Sequence, residues 1–143
     1  MSFNDVGRAR QIFFQSLYKM HMTKLNLKDI AEEFTEENKD KKYDREYLYD
    51  LISKYSDYSE QIEALLEKIL KNRSCAQISP VELSVCRLGV YELLFKSNIP
   101  YKVVITEALK IQQKYGEEEG YRLVNGILDQ ASKMIRNSDE NDK

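Results

Sequence analysis

The stretch Ser79-Pro80-Val81-Glu82, continued by Leu83-Ser84-Val85-Cys86-Arg87-Leu88-Gly89-Val90-Tyr91-Glu92-Leu93-Leu94-Phe95, decides the fold class. Its first four residues set a capping hydroxyl, a proline at the first helical position and a carboxylate at the third. That is the signature of a helix start. The helix that follows is apolar on more than one side, through Val81, Leu83, Val85, Cys86, Leu88, Val90, Leu93, Leu94 and Phe95. A helix of this kind is surrounded by others, which makes it the expected centre of an all-α fold. Gly89 in its interior costs roughly 1 kcal/mol of helix propensity relative to alanine, a loss that a close helix–helix approach would offset.

The flanking chain repeats the helical period, and seven helices are expected in a compact bundle. Val6, Arg10, Phe13, Leu17 and Met20 recur at three- and four-residue steps over about residues 4–22, with Phe14 beside them. Asn26 is a good N-cap for a second helix that turns Leu27, Ile30, Ala31 and Phe34 inward. Residues 35–42 are polar without an apolar anchor and read as a solvated connection. A third helix over about residues 44–55 buries Tyr47, Leu48, Leu51 and Ile52, and Asp57-Tyr58-Ser59-Glu60 has the form of a capping box for a fourth. The helix from Val81 to Phe95 is then the fifth. A sixth runs from Pro100 to Gly116, a glycine suited to the C′ position. The seventh opens with Glu117-Glu118-Glu119 at its positive dipole end and continues through Val124, Ile127, Leu128, Ala131, Met134 and Ile135. Asn125 within it reads as a hydrogen-bonding core residue. No internal repeat or second domain appears, so residues 1–143 read as one helical domain with 137–143 as a flexible tail.

Composition excludes several function classes. The chain has 143 residues, 42% hydrophobic and 32% charged, with only 5 Gly and 2 Pro, which favours long helices over a turn-rich β fold. No apolar run approaches the roughly 18–20 residues that span a bilayer, and the first residues lack the pattern of a signal peptide. A cytoplasmic protein without membrane contact is expected. Cys75 and Cys86 lie eleven positions apart, which is no metal-ligand spacing, and Cys86 sits in an apolar helical run as a small hydrophobe. His21 is the only histidine, so neither a His-based metal site nor a Ser–His–Asp triad has support. Catalysis, metals and cofactors are not expected.

Charge is placed unevenly. Residues 1–23 carry three basic and one acidic side chain, and residues 71–116 carry seven and three; the intervening residues 24–70 carry eight and thirteen. Such a chain does not grip nucleic acid over its whole surface, but a local basic patch fits. Arg8, Gln11, Gln15 and Lys19 form a polar stripe on the first helix opposite Phe13 and Leu17. Periodicity alone reads more readily as an ordinary solvated face. Arg10 falls in line with Phe13 and Leu17 and must snorkel or find a carboxylate or phosphate partner.

Several stretches of the second half, in order and spacing, resemble the NusB family. They are Val85 to Leu93, Ile99-Pro100-Tyr101-Lys102-Val103-Val104-Ile105-Thr106-Glu107-Ala108, Lys114-Tyr115-Gly116 and Val124-Asn125-Gly126-Ile127-Leu128-Asp129. Arg8-Ala9-Arg10 followed by Gln15-Ser16-Leu17-Tyr18 is similar to the family's opening helix. The chain departs from the family pattern at Val6-Gly7, where further basic residues are common, in having no tryptophan, and at Leu123, where an aromatic residue is usual.

The resemblance implies an all-α NusB-like fold and a transcription antitermination factor: a non-catalytic adaptor that binds boxA-type single-stranded RNA together with the ribosomal protein NusE. NusA, NusG and RNA polymerase are the further partners it implies. It turns the reading of the first helix toward RNA, with Arg8, Arg10 and Lys19 for phosphates, Gln15 for a base edge and Tyr18 for stacking. Tyr121 and Arg122 open the seventh helix, where Tyr121 would supply the stacking that Leu123 cannot. Glu82 serves the capping box and, on the resemblance, also faces the basic partner protein. Two alternatives stand beside this reading. One is a helical interaction module that binds NusE without specific RNA recognition. The other is the helical domain that precedes a ribosomal RNA cytosine methyltransferase, for which the chain is too short. Monomer and homodimer are both compatible with the sequence.

Overall fold

Polar caps start the helices close to where the sequence sets them. The Asn4 side chain accepts a hydrogen bond from the Gly7 amide and Asn26 accepts from the amides of Lys28 and Asp29. Both bonds of the box at Ser79 and Glu82 form, each at 3.2 Å. In a computed structural model that describes residues 3–73 and 77–137, these caps open three of the six helices found among the described residues. The helices are α1 (Asp5–Thr23), α2 (Leu27–Glu37), α3 (Arg45–Asn72), α4 (Pro80–Phe95), α5 (Tyr101–Tyr115) and α6 (Glu118–Arg136). There are no strands among the described residues. The expected fold class holds. Cys75 and the tail beyond Asn137 lie outside the described residues.

The count of seven is corrected to six, because the expected third and fourth helices are one. Asp57-Tyr58-Ser59-Glu60 lies inside α3 and caps nothing. Leu48, Tyr55, Ile62 and Ile69, all buried, follow one another at seven-residue steps, so the apolar face runs unbroken through the polar stretch. The serine hydroxyls there turn back onto their own helix, Ser53 donating to the Tyr49 carbonyl at 2.9 Å. The start of α3 is capped instead by Asp44, whose carboxylate accepts from the Tyr47 amide.

The described residues fall into two compact units that divide between Ser59 and Glu60, within α3. In the first, α1 packs on α2, the Phe13 and Tyr55 rings meet edge-on at 5.5 Å, and the Asp44 amide donates to the Asp5 carbonyl. Of the residues assigned to the core of the third helix, Leu48 and Leu51 are buried, whereas Tyr47 and Ile52 are half-buried.

In the second unit α4 packs against both α5 and α6, which also pack on each other. Every residue of α4 from Ser84 to Leu93 is buried, Cys86 included. Gly89 gives α6 its approach: a Cβ at that position would stand 2.6 Å from a methyl of the buried Leu128. Burial of the polar Arg87 is compensated by a two-pronged bond to Glu63, at 2.7 and 2.8 Å. Arg136, the last helical residue of α6, reaches the far end of α4. Its guanidinium donates to the carbonyls of Leu93, Glu92, Lys96 and Ile99. The guanidinium thereby caps the C-terminal end of α4, adding a charged donor to carbonyls of which those of Glu92 and Lys96 also accept backbone amides. Burial pulls the pKa of Arg136 below its ordinary value, and the charge of Glu92 opposes that pull.

Two outcomes test these contacts by urea unfolding. Gly89→Ala should destabilise the protein by about 1 kcal/mol, the overpacking cost exceeding the gain in helix propensity. In a Leu128→Ala background the same change should be neutral or stabilising. Arg136→Met should cost roughly 2–4 kcal/mol, since several half-buried carbonyls lose a charged donor, while Lys133→Ala should stay within about 0.5 kcal/mol.

Candidate nucleic-acid interface

The polar stripe expected on α1 divides into an outer and an inner set. Arg8 is exposed and its Nη1 donates to the Lys42 carbonyl at 2.9 Å, which holds the guanidinium near the loop before α3. Gln15 and Tyr18 are half-buried, with the Tyr18 ring tilted 35° against Phe14 at 6.5 Å. Lys19 is half-buried and paired with Glu33 of α2 at 2.8 Å, its ammonium 5.8 Å from the Phe34 ring centre. The hydrogen bond and charge of Glu33 hold the Lys19 pKa above its ordinary value; burial works against this and Glu37 adds a smaller push. A phosphate at Lys19 therefore has to compete with a carboxylate already in place.

One member of the stripe is placed differently from the expectation, and Arg10 settles beside it. Gln11 is buried rather than solvated. Arg10 is only 5% exposed and stands 5.7 Å over the Tyr47 ring, a cation–π contact. Such a group has little surface to offer a phosphate and serves packing first. Arg10 falls on the flank of α1 that meets Tyr47 at the start of α3.

The second unit carries the remaining candidates. Tyr121 is 38% exposed and Arg122 is exposed, both on the first turns of α6. They line a cleft of about 1050 Å³ together with Gln112, Glu117, Glu118 and Glu119. Three carboxylates beside one guanidinium make this cleft a poor phosphate site and leave ring stacking as the stronger use of Tyr121. Gln112 forms part of its lining: the side chain is 0% exposed, its amide donates to the Glu117 carbonyl at 3.2 Å, and its Oε1 has no hydrogen-bond partner. Glu82, in its capping box, lies against Gly120. Any side chain at position 120 would collide with that carboxylate and with the Gln112 amide. Gly116 likewise makes room for Gln112. Its backbone is extended, with φ −108°, so the left-handed C′ conformation expected there is not what selects glycine.

One polar residue stands elsewhere than the sequence set it, and another was not singled out at all. Asn125 is exposed, not core, and follows Tyr121 and Arg122 at helical spacing. An amide there can donate to and accept from a base edge. Arg73 is exposed at the end of α3, and its guanidinium lies over Gly126, where a Cβ would meet it at 2.5 Å. The Asn-Gly pair was the available signal: within a helix, it marks an exposed amide next to a gap in side-chain cover. No group of three His, Cys, Asp or Glu side chains suited to a metal ion occurs among the described residues, and no helix there is long and apolar enough to cross a membrane.

With this geometry in place, comparison with known proteins is specific. The model of the NusB family matches residues 7–133. A transcription antitermination protein NusB of Marinobacter nauticus is 39% identical over 132 residues, covering 92% of this chain and 83% of that protein. The crystal structure of T. maritima NusB superposes with a TM-score of 0.78 at 33% identity, covering 93% of each chain. A structure of the antitermination factors NusB and NusE in complex with double-stranded RNA also matches. It has a TM-score of 0.78 at 28% identity and covers 90% of this chain and 96% of that one.

Removing the carboxylate that occupies Lys19 tests the α1 face directly. Glu33→Gln should tighten RNA binding a few-fold and steepen its salt dependence by up to about 0.7 log unit, the weight of one single-strand phosphate contact. Unchanged affinity and slope would take Lys19 out of the interface.

Proposed function

This chain belongs to the NusB family, and we propose that it works as a transcription antitermination factor: a non-catalytic adaptor that binds boxA-type RNA together with the ribosomal protein NusE. The observation that carries the reading is the match over nine-tenths of the chain to a NusB seen with NusE and RNA. The family match runs from residue 7 to 133, through both compact units, and supports the reading of the chain as one domain.

On this reading α1 is the primary RNA face. Arg8 supplies a phosphate contact, Tyr18 a ring for an unpaired base, Gln15 a base-edge donor and acceptor, and Lys19 a second cation once Glu33 yields. Arg10 contributes by holding α1 against Tyr47. Tyr121, with Arg122 and Asn125, offers a second contact that depends on stacking and hydrogen bonds rather than on charge. Glu82 orients the start of α4 toward the partner protein. One of its oxygens is engaged by the Ser79 amide, so capping and partner contact are compatible.

The chain as a whole is slightly acidic, with a formal charge of −2, so binding to RNA alone should be weak. A basic protein bound beside the RNA adds charge and contact area. We further propose that the pair joins NusA, NusG and RNA polymerase, and that it works in the cytoplasm, where the transcript is made. A homodimer that hides the α1 face is a competing state of the same protein.

Titration of labelled boxA-like RNA at several salt concentrations, with and without NusE and against scrambled and duplex RNA, tests the proposal. Sequence-dependent binding that tightens with NusE is expected. Arg8→Ala should weaken it about three- to tenfold for every sequence and lower the salt slope by about 0.7, while Tyr121→Ala should weaken it without changing the slope. If NusE binds but no RNA preference emerges, the chain is a protein-interaction module and the α1 stripe is a solvated face.

A further inference from the structure

The first unit holds a cavity of about 650 Å³ that none of the proposed RNA contacts uses. It is formed by α2, the loop after it and the first half of α3. Ala31, Leu48 and Ile52 give it apolar walls, and Tyr43 and Tyr49 give it two rings. Its size lies in the range of roughly 300–1,000 Å³ typical of ligand sites. Tyr49 is 74% exposed, the largest exposure among the large hydrophobic side chains described, and nothing in the fold explains a ring held in water there.

Cations dominate the rim. Lys28, Lys39 and Arg45 border the cavity, and Glu32 is the single carboxylate in its lining. Lys39 shares its charge with Glu36 at 3.1 Å, which leaves Lys28 and Arg45 as the stronger pair. Arg45 is fixed in place before any partner arrives. Its guanidinium stacks on the Tyr43 ring at 4.3 Å, and one nitrogen donates to the carbonyls of Lys39 and Lys41. The opposite wall is equally set, since Lys19 clamps α2 to α1 through Glu33 and Phe34. Such preorganisation lowers the ordering cost of binding.

We propose that this groove docks an acidic, apolar-anchored peptide segment of another protein. The apolar walls take one or two large hydrophobic side chains, and carboxylates of the segment meet Lys28 and Arg45 at the rim. A small anion in the cavity would leave Tyr49 in water; a segment that runs from the rim cations across α3 covers it. RNA is the poorer fit, because the wall of Ala31, Leu48 and Ile52 offers a sugar–phosphate backbone nothing to bind. The mode is that of a peptide laid along a hydrophobic groove with charges fixing its direction.

Panning a library of short random peptides against the full chain tests this, with binding then measured to wild type and to the Tyr49→Ser, Lys28→Glu double variant. Both positions are exposed, so the variant should keep its melting temperature. Enriched peptides should carry net negative charge with two apolar or aromatic residues, and should bind the variant roughly tenfold or more weakly. The proposal is overturned by enrichment of neutral or basic peptides, or by equal binding to both proteins. It is overturned equally if boxA-like RNA displaces the peptides, or if a dimer of this chain buries Tyr49.

Discussion

Ten consecutive buried residues in α4 impose the constraint on which the second unit depends. The middle of this helix is enclosed and its two ends are only partly covered, yet both ends are satisfied by protein groups; a buried orphaned group costs about 1–3 kcal/mol. The two ends are satisfied in different ways. At the start, Ser79 and Glu82 exchange bonds locally, within four residues. At the finish no local side chain serves, and the donors come from Arg136, 40 residues further on. That long reach ties the end of α6 to the end of α4, while Gly89 brings their middles together on Leu128. The same helix pair thus has its spacing set by a missing side chain and its register by a charged one.

Charges in the first unit are mostly committed inside the protein. Arg8 holds a loop carbonyl, Arg10 a tyrosine ring, Lys19 a glutamate and Arg45 two carbonyls. Each of these contacts orients a cation, and on the proposed RNA face those of Arg8 and Lys19 would have to be loosened or shared with a phosphate. Orientation favours specificity over affinity, since a fixed guanidinium reads geometry while a loose lysine supplies charge. That division of labour suits an adaptor whose affinity is completed by a second protein.

How far the sequence could be read depended on whether a feature is local. The box at Ser79, the cap at Asn26 and the glycine at position 89 act within a turn or through simple size, and all were legible. The join within α3 was not, because a serine beside an acid resembles a cap whether or not the chain turns. What separates the two cases is the seven-residue step from Leu48 to Ile69, a longer pattern than a capping box. Gln11 was assigned by angle on a helix wheel, which cannot show that its flank is buried, nor that Tyr47 lies over Arg10. Arg136 looked like the edge of a tail, and its role rests on carbonyls some forty residues away. Gln112 and Gly116 explain each other only in three dimensions: glycine is required there by the volume of a neighbouring amide, not by its own backbone angle.

The opening of α6 gives the proposed second RNA contact a different character from the first. Negative residues are favoured there by the helix dipole, and Glu118 and Glu119 fill the first turn. The stability of the helix start therefore works against phosphate binding at the same place. Arg122 compensates only in part. An aromatic ring escapes this conflict, because stacking on a base draws on dispersion and desolvation and is little affected by neighbouring carboxylates. With no aromatic side chain at Leu123 and Tyr121 exposed two residues earlier, the proposed reading moves the stacking ring along the helix. The two positions lie about 200° apart around its axis. A base that used the family's position would approach from one side, and a base that stacks on Tyr121 from the side that carries Asn125. The pairing of a ring with an amide on one exposed face is what a single unpaired base requires: a surface for its plane and a partner for its edge.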